Sequence, residues 1–582
     1  MRITSVLLAL GVLAGCATAR DDRAAATAPV DVHVLAINDF HGALEPPAVA
    51  VDATDASGRA IKVPAGGVAH LASAVASRRA RSANSIVVSA GDMTGASPFL
   101  SSQFLDEPTI LAMNAVGLEL NAVGNHEFDR GPAELRRLQR GGCAKHTSRP
   151  PCRVDRDFPG ARFSYLAANV RTADGRTLFP GTALRTFGTG PRAVTIGFIG
   201  LTLRETPTLV VPSAVASLRF EDEADTINAL APSLRAQGAD AVVVLIHQGL
   251  TTSGTPNDRA CPGVAGGLLP ILARLDPAID LVVSGHTHEA YVCDHGRIDP
   301  TRPFLVTSAG RSGTLLTDVA LSIDPVAGRV VARRAENLIV QGAGFTGPSG
   351  PVPVQPAMPS FPADPRLSAL IARYAAAAKP IAERVVGRLT APATRERTPA
   401  GESLLGRLVA DAQARATGAE IAFMNAYGLR ADVTPGPGGD VTYGQLYAAQ
   451  PFGNVLQVKD MTGRQIRAVL EQQFASGSNS VARPNMLQVS RGFSYVYDLR
   501  RPEGSRIVEM RLNGAPLADD RRYRVAVNNF LATGGDNFTA FRDGVDLPGG
   551  GEDLAALQAV FGPTPVTPPG DERVRRLDPP PK

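Results

Sequence analysis

Residues 32–42 read VHVLAINDFHG: six strand-like residues run without a break into Asn38-Asp39-Phe40-His41-Gly42, where a carboxylate and an imidazole stand two positions apart. An apolar run ending abruptly on polar, turn-forming residues is how a buried strand delivers a loop at its carboxyl end. The pattern recurs down the chain. SIVVSA (85–90) leads into Gly91-Asp92, ADAVVVLI (239–246) into His247-Gln248-Gly249, and DLVVS (280–284) into Gly285-His286-Thr287-His288. The short run LNAV (120–123) precedes Gly124-Asn125-His126-Glu127-Phe128-Asp129. Ala/Leu/Arg-rich helical stretches separate these runs, so residues 30–340 read as an α/β layered domain. Ligands of open α/β sheets gather at strand carboxyl ends, so loops spread from Asp39 to His288 are expected to converge on one edge.

The residue types in those loops are those of a two-metal centre. Carboxylate, imidazole and amide oxygen suit borderline or hard divalent ions such as Zn²⁺, Mn²⁺, Co²⁺ or Mg²⁺, and no thiolate is offered. Two cations roughly 3.5–4 Å apart need a shared anionic ligand to offset their repulsion. Asp92, alone in its Gly-Asp turn, is the natural bridge. Of nine histidines, His41, His126, His247, His286 and His288 fall within the motifs, whereas His33, His70, His146 and His295 lack such company.

The chain has 582 residues, 44% hydrophobic and 20% charged, enough for at least two domains with full cores. That composition excludes wholesale disorder. The formal charge is +4, from 59 basic and 55 acidic residues, and the Arg pairs are scattered. No nucleic acid polymer is expected as a partner. Met1-Arg2, the apolar run Ser5 to Leu13 and Leu13-Ala14-Gly15-Cys16 have the form of an export signal over residues 1–15. Leu-Ala-Gly-Cys resembles the bacterial lipobox, which implies a lipid on Cys16 and a tether over 16–29. Ala17 after the cysteine points towards the periplasmic side of an outer membrane or the cell surface. The remaining Cys143, Cys152, Cys261 and Cys293 are an even set in an exported chain and read as two disulfides. Of three connectivities, Cys143–Cys152 and Cys261–Cys293 are favoured: the first closes a short loop, and the second joins segments that each follow a candidate metal motif.

Residues 341–365 are dense in Gly and Pro and mark a domain boundary with no regular element expected. Leu367, Leu370, Ile371 and Tyr374 then recur at helical spacing, predicting a connecting helix up to about residue 390 that Pro380 should kink. Residues 391–562 mix an amphipathic helix from Leu404, strand-like runs and turns, as a second α/β domain would. Residues 563–582 are Pro-rich and are expected to form a loose tail.

With the five motifs in this order, the sequence resembles the 5'-nucleotidase family of calcineurin-like metallophosphoesterases. The resemblance implies an N-terminal β-sandwich flanked by helices and a C-terminal substrate-specificity domain, with the active site between them. It implies one metal held by Asp39, His41, Asp92 and His288, and a second by Asp92, Asn125, His247 and His286. A hydroxide held between the two metals would attack phosphorus in line, and His126 with Asp129 matches the family's catalytic dyad. A protonated imidazole would stabilise the growing negative charge, and the carboxylate would orient it. The alternative for Asp129 is a helix N-cap before Pro132–Arg140, and one residue can do both.

In the second domain Asn425-Ala-Tyr-Gly-Leu-Arg430, Pro451-Phe452-Gly453-Asn454 and Asn529-Phe530-Leu-Ala-Thr-Gly-Gly-Asp536 match family segments. By resemblance Arg430 and Asn425 would contact phosphate or ribose, Phe452 and Phe530 would sandwich the base, and Asp536 would accept from ribose hydroxyls. A second arginine is expected at Arg395 or Arg397, with spacing favouring Arg395. Tyr427 stands where the family has Gly. The implied activity is removal of the 5'-phosphate from nucleoside monophosphates. The alternatives are UDP-sugar hydrolysis, 2',3'-cyclic nucleotide hydrolysis, a sulfur-oxidation hydrolase, or a non-catalytic surface binding protein.

Overall fold

The computed structural model describes residues 28–578 other than 49, 56, 148, 211, 348–349 and 548–550. The expected signal peptide, Cys16 and the tether up to residue 27 lie outside the described residues.

The first domain holds β1 (Val30–Ile37), β2 (Ser85–Ser89), β3 (Leu120–Ala122), β4 (Ser164–Leu166), β5 (Thr182–Phe187), β6 (Val194–Leu201), β7 (Ala241–Ile246), β8 (Leu281–Ser284), β9 (Ala290–Asp294), β10 (Leu305–Ala309), β11 (Leu315–Asp324) and β12 (Arg329–Ile339). They form two six-stranded sheets, ordered β12-β11-β1-β2-β3-β4 and β9-β10-β8-β7-β6-β5. β1 to β4 run parallel in the first sheet, and β6, β7, β8 and β10 run parallel in the second. The carboxyl ends of β1, β2, β3, β7 and β8 therefore carry the five motifs.

The strands are continuously apolar because both faces are buried. On β1, Val30, Val32, Val34 and Ala36 point between the sheets, while Leu35 and Ile37 pack under helices Val68–Arg79 and Glu107–Val116. On β7, Val243 and Leu245 face the inter-sheet core and Val242, Val244 and Ile246 the helix Glu223–Ala236. The result is a helix–sheet–sheet–helix sandwich. Cys143 is bonded to Cys152 and Cys261 to Cys293.

The Gly/Pro-rich boundary departs from expectation. Phe345–Gly347 pairs with Gly350–Val352 as a small hairpin, and the Gln341 amide pins the rest by accepting from Gln355 N and donating to carbonyls of Gln355, Met358 and Pro359. Helix α1 (Pro365–Ala382) follows, capped by Asp364. Pro380 sits in its last turn and does not interrupt it. Rather than standing free between domains, α1 lays Leu367, Tyr374 and Ala378 on the first domain's core, with the Tyr374 hydroxyl donating to Asp155 at 2.6 Å.

The second domain contains α2 (Leu404–Thr417), β13 (Ile421–Asn425), β14 (Leu456–Thr462), β15 (Leu487–Val489), β16 (Phe493–Tyr497), β17 (Ile507–Leu512), β18 (Ala515–Pro516), β19 (Arg522–Asn528), β20 (Val545–Leu547) and β21 (Val574–Arg576). A five-stranded sheet, β15-β13-β19-β14-β20, stands beside a four-stranded one, β18-β17-β16-β21. The expected loose tail is corrected here: β21 pairs in parallel with β16. The Glu402 carboxylate accepts from Arg573 N and Val574 N, and the buried Arg573 guanidinium is gripped by Asp411 and Asp571. The second domain's edge is thus built from residues beyond 562. Among the described residues, no helix is long and apolar enough to cross a membrane.

Candidate dinuclear metal centre and adjoining cavity

The five loops meet. His41 Nε2 lies 3.1 Å from His288 Nε2 and 3.9 Å from Asp39 Oδ1, and His288 Nε2 lies 3.4 Å from the same Asp39 oxygen. Asp92 Oδ2 is 3.7 Å from His41 Nε2 and 3.1 Å from His247 Nε2, placing its carboxylate between two donor sets. Asn125 Oδ1 is 3.1 Å from His247 Nε2 and 3.2 Å from His286 Nδ1. Two triads, Asp39/His41/His288 and Asp39/Asp92/His247, each bring ligand atoms within 4.8 Å of one another.

These donors fit cations. His41 Nδ1 faces the Gly95 carbonyl at 2.9 Å and His247 Nδ1 faces the Ala90 carbonyl at 2.8 Å. A carbonyl only accepts, so Nδ1 carries the proton and Nε2 turns its lone pair inward, the tautomer a metal ligand needs. Asp39 and Asp92 are 0% and 1% exposed, and among the described residues no Lys or Arg pairs with either. Buried carboxylates without a permanent cation beside them are costly unless one is supplied. Burial pushes His41 down to about 3 and His286 down to about 4, which keeps both neutral. Burial also disfavours charge on His247, but Asp92 against it prevails and lifts it to about 10, so without a cation its Nε2 holds a second proton, which a bound metal ion would displace to use the lone pair.

The backbone is strained here. Asp39, His41, Asp92, His286 and His288 have φ of 47°, 49°, 52°, 72° and 59°, a region that side-chain-bearing residues seldom occupy. Neighbouring side chains hold these turns. Glu127 is the chief of them: its carboxylate accepts from the backbone N–H of Asp92 (2.9 Å), Met93 (2.7 Å), Thr94 (3.2 Å) and Gly124 (2.7 Å). Asn38 donates to Asp39 Oδ2 and to the Gly310 carbonyl and accepts from Ala309 N. Sequence reading gave neither residue a role. The signal for Glu127 was its place inside Gly-Asn-His-Glu, yet its partners are main-chain groups that no side-chain pattern reveals. Gly124 and Gly95 leave no room for a Cβ, which would press on Asp92 and on the His126 carbonyl respectively.

His126 Nδ1 is 3.0 Å from both Asp129 oxygens, and its backbone N–H donates to Asp92 Oδ1. Burial opposes charge on His126, but Asp129 and Asp92 outweigh it and lift the imidazole to about 9. The following helix begins at Gly131 without a side-chain cap, and Asp129 instead accepts from Ala96 N. The capping alternative for Asp129 is therefore not realised.

A cavity of about 160 Å³ opens beside this cluster, walled by Asn125, His126, Asp129 and His286 of the first domain and Asn425, Tyr427, Arg430, Phe452, Phe530 and Asp536 of the second. Phe452 lies nearly parallel to the His126 ring, 6.1 Å between centres at 19°, and the Arg430 guanidinium sits 5.9 Å from the Phe452 ring centre. Asn425 donates to Asp536 Oδ2 at 2.8 Å and accepts from Asn528. Burial raises the Asp536 carboxyl, with Asn425 opposing. Burial and the nearby Arg311 lower Arg430. Leu209, Val210, Gly428 and Asn454 complete the wall; Gly428 and Asn454 belong to the segments that match the family, whereas Leu209 and Val210 carried no sequence signal. Arg395 is not brought to the wall: its N and Nε donate to Asp432, which turns the side chain aside. Arg397 lies over the Tyr427 ring at 5.5 Å.

A double sandwich with carboxylates, imidazoles and an amide converging at its strand ends defines the calcineurin-like phosphoesterase class, and that family matches residues 32–290. The 5'-nucleotidase C-terminal domain family matches residues 385–543. The chain belongs to the 5'-nucleotidase family of calcineurin-like phosphoesterases, which are hydrolases. It is 32% identical to a cell wall protein of Listeria monocytogenes over 93% of this chain and 68% of that protein. It is 24% identical to a 5'-nucleotidase of Diplobatis ommata, covering 89% and 84% of the two chains. The crystal structure of a 5'-nucleotidase precursor from Thermus thermophilus superposes with a TM-score of 0.69 at 26% identity, covering 95% of this chain and all of that one.

Proposed function

We propose that this chain is a metal-dependent 5'-nucleotidase that removes the terminal phosphate of nucleoside monophosphates. One observation carries the reading. The donor cluster of Asp39, His41, Asp92, Asn125, His247, His286 and His288 opens directly onto a cavity whose far wall presents two phenylalanines, a guanidinium and a carboxylate from the other domain. A nucleotide has the complementary parts in the same order: phosphate, ribose and base.

Asp39, His41, Asp92 and His288 would hold one divalent ion and Asp92, Asn125, His247 and His286 the other. When bound, such a pair supplies Lewis acidity towards phosphoryl oxygens and lowers the pKa of water. The chain's own groups do the rest. His126, held cationic and oriented by Asp129, donates from Nε2 to the oxygens on which charge grows. Arg430 offers its planar fork to the phosphate, Phe452 and Phe530 offer π-faces to the base, and Asp536 accepts from ribose hydroxyls. The two disulfides and the likeness to a cell wall protein support the reading that the chain is exported, with the lipid on Cys16 as its anchor.

The test is phosphate release by residues 17–582 from AMP, UMP, UDP-glucose, 2',3'-cyclic AMP and p-nitrophenyl phosphate, with EDTA and then with Mn²⁺, Co²⁺ or Zn²⁺ restored. Metal-dependent turnover of AMP or UMP well above p-nitrophenyl phosphate is the expected result. Turnover of UDP-glucose or the cyclic ester ahead of both would replace the substrate, and no turnover with any metal would sink the assignment.

A further inference from the structure

The cavity wall contains a side chain that nothing in the fold uses. Tyr427 is 55% exposed, the single largely exposed phenylalanine or tyrosine ring among the described residues, and it lines the cavity together with Phe452 and Phe530. Its hydroxyl makes no hydrogen bond among the described residues. Its position is set by the main chain: the short turn Ala426–Gly428 leaves β13, and a Cβ at residue 428 would press on Met424 and Asn425. Among the described residues its only ring contact is the Arg397 guanidinium, 5.5 Å from the ring centre. A cation over an aromatic ring holds it without burying it. An exposed aromatic surface at the mouth of a ligand cavity gains when a flat, apolar group covers it.

We propose that Tyr427 is a specificity-determining contact for the nucleoside, its ring held by Arg397 as a third stacking surface beside Phe452 and Phe530. The inference rests on the nucleotidase reading and deepens it, because it adds a residue of this chain's own to the surfaces that bind the base. Among the described residues no hydrogen bond or ring contact joins Tyr427 to the donor cluster or to His126, so its contribution falls on substrate binding.

The experiment compares AMP with ribose 5-phosphate, which keeps phosphate and sugar and lacks the base, in the metal-loaded chain and in Tyr427→Gly, Tyr427→Phe and Arg397→Ala. In Tyr427→Gly, KM for AMP should rise roughly 5- to 150-fold, the size of one base–aromatic stack. The kcat for AMP and both constants for ribose 5-phosphate should stay within about twofold. Tyr427→Phe should restore the native KM, and Arg397→Ala should raise KM for AMP by a smaller factor. An AMP KM that is unchanged or lower in Tyr427→Gly overturns the inference, the ring then merely narrowing the cavity. Equal losses on both substrates overturn it as well, since they report general damage. A native chain that prefers ribose 5-phosphate to AMP overturns the nucleotidase reading and this inference with it, and shows before any variant is made.

Discussion

The donor cluster and the nucleoside wall face each other across one cavity and are built on opposite principles. In the cluster, Asp39, Asp92 and His247 are essentially unexposed, the carrying turns sit in left-handed backbone conformations, and main-chain partners fix the His41 and His247 rings. In the wall, Tyr427 is more than half exposed, Phe452 and Phe530 are half-buried, and Arg430 meets a ring face rather than a carboxylate. Strained, buried turns tolerate almost no change, so the cluster should act as a unit on every phosphate ester. The wall consists of separate surfaces, so its members should act singly and only on substrates with something to stack.

The largest break comes from the bridge. Asp92→Asn removes the charge between the two donor sets and should lower kcat about 10³-fold or more on AMP and on ribose 5-phosphate alike, as lost electrostatic stabilisation of several kcal/mol requires. Metal content measured on the same sample should fall with it. A variant with full metal and near-native turnover would show that Asp92 is not shared.

Next in size is His126. His126→Gln should cost roughly 10²- to 10³-fold in kcat with little change in KM. The imidazole is raised to about 9, above its unfolded value, so its cationic form persists through neutrality and is lost as pH rises through about 9. The alkaline limb of kcat should lie there and move to lower pH in Asp129→Asn, which removes a neighbour that raises it. A limb unmoved by that substitution would take Asp129 out of the account.

The split between the two regions also governs what the sequence could disclose. Asp39, His41, Asp92, Asn125, His247, His286 and His288 were legible because each follows an apolar run buried on both faces, and the parallel register of β1–β3 and β7–β8 brings those runs to one edge. Helix α2 was legible from its amphipathic pattern. The supports of the cluster were not, because Glu127 acts on the main-chain N–H groups of the loops after β2 and β3, and Asn38 on the turn at Ala309 and Gly310 as well as on Asp39, partners that no side-chain pattern reveals. The wall was legible only by resemblance, and resemblance does not reveal that Asp432, 37 residues downstream, pairs with Arg395 and keeps it off the cavity lining. The loose tail failed for a related reason, since β21 is held by Glu402 and by the pairing of Arg573 with Asp411, both distant in sequence.

A smaller effect sharpens the point about support. Glu127→Gln keeps the shape of the side chain but turns an N–H₂ group towards main-chain donors, so metal affinity should drop about 10- to 100-fold and the chain should melt several degrees lower. Metal titration followed by thermal melting checks both, and a variant with native affinity would make Glu127 a bystander.

The central claim is that phosphate chemistry and nucleoside recognition are separable across the cavity. The direct measurement is kcat/KM for AMP and for ribose 5-phosphate, side by side, in the native chain, in Asp92→Asn and in the double variant Phe452→Ala/Phe530→Ala. The account predicts that Asp92→Asn abolishes both activities, whereas the double variant loses most of its AMP efficiency and keeps ribose 5-phosphate near native. Parallel loss of both substrates in the double variant, or survival of either in Asp92→Asn, would contradict it.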